Sequence, residues 1–176
     1  MLDWYSAVFE LIDMRSFSNL WYWIALAVVW SSTSHWVIGV PWDMVQRAAR
    51  HGGEAERDLE DMVRINCNRL LYIAGVSGLW LIGLASAFLT SLALLGFWYG
   101  IEFAQAVFLL AAPMIVVGAL SLSTARRIHL QGLEGAPLRK RMHRHRIQIQ
   151  IVGMIAIFVT ALWGMYQNMS IGALGG

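Results

Sequence analysis

Apolar segments alternate with charged segments along the chain, and this pattern decides the architecture that the sequence predicts. A helix needs about 20 mostly apolar residues to cross a bilayer, and residues 20–40 and 147–167 meet this requirement. The apolar stretch 70–124 is long enough for two spans, and the aromatic segment 96–100, bracketed by glycines, predicts a turn between them. We therefore expect an all-α integral membrane protein with four transmembrane helices: 20–40, 70–96, 101–124 and 147–167.

Lysine and arginine residues are concentrated in two of the segments between these spans. Segment 42–69 carries five of them, segment 125–146 carries seven, and Arg15 is the remaining one. Because loops rich in lysine and arginine stay in the cytoplasm, we expect cytoplasmic loops at 42–69 and 125–146. Both termini then lie on the outer side of the membrane.

Two shorter segments predict amphipathic helices at the membrane surface. Residues 3–14 place Trp4, Val8 and Leu11 on one side of a helix, which suits a helix lying on the outer surface. A second helix is expected from about Glu54, where helical spacing of apolar residues allows it to continue into the second span.

Composition agrees with a single membrane domain over residues 1–176. The chain is 58% hydrophobic and 14% charged, whereas soluble domains are about 25% charged. Cys67 is the single cysteine, which excludes an internal disulfide and a site built on several thiolates. No catalytic or metal-binding motif is present, and we predict no cofactor.

The basic charges of the second loop adjoin a span, where they favour anionic lipid headgroups over nucleic acid. The residues predicted to contact lipid headgroups are Arg126, Arg127, Arg139, Lys140, Arg141, Arg144 and Arg146.

A polar patch within the first span is the candidate ligand site. Ser31, Ser34 and His35 lie near its cytoplasmic end, and Arg64 and Asn68 precede the second span. One interpretation is hydrogen bonding between helices, in which serine and threonine act as polar glue. The alternative is a site for a quinone or a haem; a haem ligated by His35 needs a second axial ligand, for which His129, Met114 and Met154 are candidates.

Small residues recur at helical spacing in two of the spans. This spacing lets helix backbones approach closely, so it predicts tight packing and allows a homo-oligomer. The residues concerned are Ala74, Gly78, Gly83 and Ala87 in the second span, and Ala156, Thr160 and Gly164 in the fourth.

Segments 10–24, 34–41 and 164–168 resemble a family of small membrane proteins of alphaproteobacteria. Some members carry the label of a component of the SufBCD iron–sulfur assembly complex, which a chain with one cysteine does not support. The resemblance implies a bacterial inner membrane, in which the termini predicted on the outer side from the basic residues would be periplasmic. It supplies no active-site residue.

A looser similarity is to the MAPEG family of glutathione-handling membrane enzymes, which are four-helix trimers. Arg64 and Asn68 match the pattern of that family, but Leu71 or Tyr72 stands where it has an acid.

Two functions follow from these observations. The first is a non-catalytic accessory, assembly or stabilising subunit of a larger inner-membrane complex, with other membrane subunits and anionic lipids as partners. The second is a small membrane enzyme or redox protein that uses the polar patch of the first span.

Overall fold

A computed structural model describes the backbone of residues 16–172 and the side chains of residues 16–169. About 91% of the described residues are helical, which confirms the all-α prediction. The amphipathic helix predicted at 3–14 lies outside the described residues. The helices are α1 (Leu20–His35), α2 (Trp42–His51), α3 (Gly53–Ala93), α4 (Glu102–Gln131) and α5 (Gly135–Gly172), preceded by a 3-10 turn at Ser16–Ser18.

Three helices in the described part are long and apolar enough to cross a membrane. They are α3 together with the π-helical turn that follows it, α4, and α5. Helix α3 has 41 residues and α5 has 38, so each is roughly 60 Å long. The hydrocarbon core of a bilayer is about 30 Å thick, and both helices therefore extend well beyond it.

The first predicted span, 20–40, is shorter in the structure. Asn19 caps α1 by accepting a hydrogen bond from the backbone N–H of Trp21 at 3.0 Å, and the helix ends after 16 residues at His35. A two-stranded hairpin follows, in which β1 (Trp36–Val37) pairs with β2 (Val40–Pro41). The prediction of one helix over 20–40 was therefore wrong in its last five residues, because the chain turns back on itself there.

Positive φ angles at both central residues of this hairpin produce its tight turn. Ile38 has φ 54° and Gly39 has φ 71°, the backbone pattern of a type I′ turn. A branched side chain rarely adopts this region, yet the Ile38 side chain is buried in the core of the protein. Asn66 Nδ2 donates to the Gly39 carbonyl at 3.1 Å and ties the turn to α3.

The two segments predicted as cytoplasmic loops, 42–69 and 125–146, are mostly helical in the structure. Helix α3 begins at Gly53 and continues into the second span, as expected for a helix from about Glu54, whereas α2 and the helical form of 125–146 were not predicted. Helix α2 and the first part of α3 occupy one, while the ends of α4 and α5 occupy the other. Together with the hairpin they form the helical cap, residues 36–69 and 125–146. Its apolar core comprises Val37, Ile38, Val40, Trp42, Val45, Ala48, Leu59, Val63, Cys67, Ala125, Ile128, Leu138 and Met142.

Apolar residues of the cap recur at helical spacing, which explains why it folds. Leu59, Val63 and Cys67 follow one another at four-residue intervals on α3 and are fully buried. Such a stripe is buried by the hydrophobic effect wherever water surrounds the helices. Two carboxylates of α3 fasten the turn between α4 and α5: Glu60 accepts from the Gly135 N–H at 2.7 Å, and Glu56 pairs with Arg139.

At the opposite end of the bundle, α3 and α4 are joined by the turn predicted at 96–100. The π-helical turn Leu94–Trp98 leads into Gly100, which has φ 71°. Gly96 is required here because a Cβ atom at this position would lie only 2.9 Å from the backbone nitrogen of Gln105.

Helix α1 packs against small residues of α5. A Cβ atom on Gly153 would lie 2.8 Å from the Trp30 ring, and one on Gly164 would lie 3.3 Å from Phe17. Ala156 and Thr160 are buried between these two glycines. The predicted residues Ala156, Thr160 and Gly164 thus lie along the contact of α5 with α1 and the preceding 3-10 turn, while the closest approach to α1 is at Gly153, which was not predicted.

The small residues predicted to pack in the second span have a different setting. A Cβ atom on Gly78 or Gly83 would have no other atom within 4 Å, and Ala87 is exposed while Ala74 is half-buried. Gly78 and Gly83 therefore have no close packing neighbour among the described residues, and their role in packing stays a prediction. They lack a neighbour because α3 meets the rest of the membrane bundle along one face only.

We expect Gly153→Ala to lower the free energy of unfolding by about 1–3 kcal/mol, because the added methyl group overpacks the contact with Trp30. Gly118→Ala is the matched control, since a Cβ atom on Gly118 meets nothing within 4 Å. This control should be neutral or stabilise by up to about 1 kcal/mol through helix propensity. Thermal unfolding in mild detergent compares the two, and equal stability of both variants would contradict the tight packing of α1 on α5.

Candidate functional site

In the polar patch predicted in the first span, some side chains bond to the helix backbone and others are exposed. Thr33 and Ser34 donate hydrogen bonds to the carbonyls four residues earlier, at 2.7 and 2.8 Å, as hydroxyl side chains in membrane helices often do. Ser31 and His35 are exposed, and the His35 ring lies edge-on to Trp36 with 5.8 Å between the ring centroids.

Arg64 and Asn68 lie elsewhere, in a cavity of about 260 Å³ between α3 and the turn that joins α4 to α5. Arg64 pairs with Asp61 at 2.8 Å, and both side chains are about two-thirds exposed. Cys67 contributes a buried thiol to the same cavity. The cavity lining does not include the residues of the polar patch, so the structure does not bring the five predicted ligand-site residues together.

A buried histidine that the sequence analysis did not single out lies where α5 leaves the cap. The His145 side chain is 0% exposed. Its Nε2 is 3.1 Å from Ser121 Oγ, and its Nδ1 is 3.3 Å from Thr124 Oγ1. One ring nitrogen donates and the other accepts, so the two hydroxyl groups of α4 satisfy both. The imidazole therefore fastens α5 to α4.

The charge state of this histidine follows from its surroundings. The pKa of His145 is lowered from 6.5 to about 4, mainly by burial and in smaller part by the positive charge of Arg141, while a hydrogen bond with Gln148 acts in the opposite direction. His145 lies in the polar part of α5, ahead of the apolar segment that begins at Ile147. The ring is thus neutral at physiological pH, and it acts as a hydrogen-bonding link.

The spacing of the buried residues along α5 includes His145 in one helical stripe of the core. Leu138, Met142, His145 and Ile149 are spaced by four, three and four residues, and all are buried. Leu138, Met142 and His145 belong to segment 125–146, predicted as a cytoplasmic loop, whereas Ile149 belongs to the fourth predicted span, so the spacing that joins them crosses a predicted boundary.

Arg146 is held in a defined position at the end of α1. Its Nε donates to the Ser34 carbonyl at 3.3 Å, and its guanidinium carbon lies 4.4 Å from the centre of the Trp42 ring. The hydrogen bond links α5 to α1, and the cation–π contact links it to α2. Arg146 is the one basic residue among the described ones that has both kinds of contact.

The seven basic residues predicted to bind lipid headgroups divide into two groups. Arg139 pairs with Glu56, Arg141 Nη2 lies 3.5 Å from Thr124 Oγ1, and Arg146 has the contacts just described. The remaining four are exposed on the cap: Arg126, Arg127, Lys140 and Arg144.

A second polar cluster lies at the other end of the bundle, around the buried side chain of Gln105. Its Oε1 accepts from Trp163 Nε1 at 2.9 Å and from Gln167 Nε2 at 2.5 Å, while its Nε2 donates to the Gly96 carbonyl at 2.8 Å. All of these bonds join helices of the bundle to one another. The cluster therefore stabilises the fold at this end.

Metal-binding potential is limited in the part of the chain that the structure describes. Within residues 16–172, no three histidine, cysteine, aspartate or glutamate side chains are grouped so that they could hold a metal ion.

Comparison with known proteins yields no relative of this chain. No protein-family model, no curated protein and no solved structure matches it. The resemblances to the alphaproteobacterial family and to the MAPEG family therefore stay predictions.

We expect the buried histidine to make stability depend on pH. Between pH 6.5 and about pH 4 the unfolded chain binds a proton at His145 that the folded chain does not, so the free energy of unfolding falls as the pH drops through this window. His145→Gln removes this term and should flatten the dependence measured by thermal unfolding in detergent. His143→Gln, at an exposed neighbour, is the control and should keep the wild-type slope; a slope unchanged in both variants would contradict the assignment.

Proposed function

We propose that the chain is a non-catalytic accessory, assembly or stabilising subunit of a larger complex in a bacterial inner membrane. In this proposal α1 is a fourth span, the helical cap lies in the cytoplasm and the two termini are periplasmic. The observation that carries the proposal is the outward face of α3.

Six of the exposed residues of α3 and of the turn that follows it form one stripe with the spacing of a seven-residue repeat. Their spacing alternates between four and three, as in helices that pack side by side over a long distance. Small residues stand in the middle of the series, where they permit close approach of a second helix. The series is Val76, Trp80, Gly83, Ala87, Thr90 and Leu94, all of them exposed.

Small residues are covered by the same chain on α5 but not on α3, and this difference supports a partner helix from another subunit for α3. On α5, Gly153 and Gly164 are covered by Trp30 and Phe17 of the same chain. On α3, Gly83 has the same capacity for close approach but no neighbour within the described chain. A helix of another subunit would use it in the same way.

Polar side chains in the described part of the bundle serve mainly to join its helices. His145 bonds to Ser121 and Thr124, and Gln105 bonds to Trp163 and to the α3–α4 turn. A catalytic site needs a reactive group that faces a substrate. This consideration favours an accessory role over the enzyme alternative.

The exposed arginine and lysine side chains of the cap support the orientation. Arg126, Arg127, Lys140 and Arg144 point away from the core of the cap, beside the apolar parts of α4 and α5. Basic residues in this position hold a segment in the cytoplasm and attract anionic headgroups.

The orientation predicts the behaviour of topology reporters. Alkaline phosphatase fused to the end of α5 should be active, because this enzyme matures only in the periplasm, while the same reporter fused within the α4–α5 turn at Gly132 should be inactive. Enzyme activity and fusion-protein abundance are measured together in intact cells. An inactive but stable fusion at the end of α5 would overturn the proposed arrangement.

The accessory role predicts that the outward face of α3 is needed for assembly. Gly83→Leu should remove the co-purifying subunits without unfolding the chain, because nothing in the chain contacts this position. The measurement is affinity purification from the native membrane in mild detergent, followed by quantitative mass spectrometry.

Ser86→Leu is the matched control, since Ser86 is also exposed on α3 but lies outside the seven-residue series. It should keep the full set of partners. Recovery of the wild-type chain without stoichiometric partners, or equal losses in the two variants, would contradict the proposal.

A further inference from the structure

A groove with a volume of about 540 Å³ lies between α1 and α5. Ala27, Trp30, Ser31 and Ser34 line it from α1, at the spacing of one helical face. Gln150, Gly153, Met154 and Ile157 line it from α5.

Polar and apolar groups are separated along this groove. Ser34, Ser31 and Gln150 lie toward the cap, whereas Met154 and Ile157 lie deeper in the apolar segment of α5. Met154 is 63% exposed and Ile157 is 40% exposed, so the groove is open along its side toward the surroundings of the bundle. A molecule with a polar head and an apolar chain matches this order.

Arg146 stands at the polar end of the groove, one helical turn before Gln150. Its Nε is bonded to the carbonyl of Ser34, which lines the groove, and its guanidinium plane lies against Trp42. These contacts fix the side chain and leave its two terminal amino groups without a hydrogen-bond partner among the described residues. A fixed guanidinium with both amino groups available is suited to bidentate binding of a phosphate.

The charges around the groove complement an anion. Neither α1 nor α5 contains an aspartate or glutamate, and Arg146 lies on α5 just before its apolar segment. A negatively charged head would therefore meet Arg146 without an opposing carboxylate on either wall.

We propose that the groove between α1 and α5 is a specific site for one anionic phospholipid, whose phosphate is bound by Arg146 and whose acyl chain lies along Met154 and Ile157. This inference uses the membrane setting included in the proposed function. It is independent of whether the chain joins a larger complex, because the site is built from one chain.

The test is native mass spectrometry of the full chain released from nanodiscs of phosphatidylglycerol and phosphatidylcholine in equal parts. The wild-type chain should retain one phosphatidylglycerol in preference to phosphatidylcholine. Arg146→Gln should lower the retained phosphatidylglycerol by about tenfold, since charge-assisted hydrogen bonds to the phosphate are lost. Arg144→Gln is the matched control, because this arginine is exposed on the same helix, and it should keep the lipid.

A second pair of variants tests the apolar part without changing charge. Ala27→Phe fills the groove and should displace the lipid. Ala25→Phe adds the same ring to another exposed position of α1 outside the groove and should have no effect.

Three results would overturn the proposal. Equal losses in Arg144→Gln and Arg146→Gln would show that lipid is held by the general charge of the cap. Equal retention of phosphatidylcholine would show that the headgroup is not selected. A quinone retained from the native membrane in place of phospholipid, and lost in Ala27→Phe but not in Arg146→Gln, would assign the groove to an uncharged ligand. None of these results depends on co-purifying subunits, so the proposal can fail while the accessory role stands, and the reverse also holds.

Discussion

Packing of apolar side chains in the helical cap is the interaction on which the rest of the arrangement depends. The hairpin places Val37 and Val40 against α3 residues such as Leu59 and Val63, and Leu138 and Met142 of α5 complete the same core. This core gathers α2, α3, α4 and α5 at one end of the bundle, where water supplies the hydrophobic driving force. Within a bilayer that force is absent between helices, since lipid tails are as apolar as leucine. The membrane part is correspondingly open: in the described residues it holds a smaller buried cluster around Trp30 and Ile149.

Polar side chains at the boundary between the cap and the membrane part of the bundle form hydrogen bonds between the helices. His145 lies where the polar part of α5 ends, and it is satisfied by two hydroxyl groups of α4. Arg146 follows it and connects α5 to α1 and α2. Gln105 has the corresponding role at the other end of the bundle. Because hydrogen bonds between buried groups are directional, these contacts set the mutual rotation of the helices, which apolar contacts alone define less sharply.

The contrast between the well-packed cap and the open membrane part explains where the chain can interact with other molecules. The cap buries its apolar stripes internally and presents basic side chains outward, whereas α3 leaves a regular series of apolar and small residues uncovered. The groove between α1 and α5 lies between these regions, with Arg146 at its polar end. An accessory subunit that packs through α3 and holds a lipid beside α1 uses surfaces on different sides of the bundle, so the two proposals do not compete for the same residues.

Hydrophobic patterning alone was enough to predict the helical membrane fold, because twenty apolar residues in a row have few alternatives to a helix in a bilayer. The turn near Gly96 and the start of a helix near Glu54 were also predicted, from the positions of glycine and charged residues. The helix that carries the stripe at 59–67 was expected from its spacing. The stripe at 138–149 and the packing of the two into one cap were not, since residues 139–146 are strongly charged between the buried positions. Tertiary structure alone decided that Trp30 fills the space above Gly153 while Gly83 stays uncovered, and that His145, not His35, is the buried histidine. The physical reason is that residue type and spacing determine which faces of a helix can be buried, whereas the face that is actually buried depends on where the neighbouring helices pack.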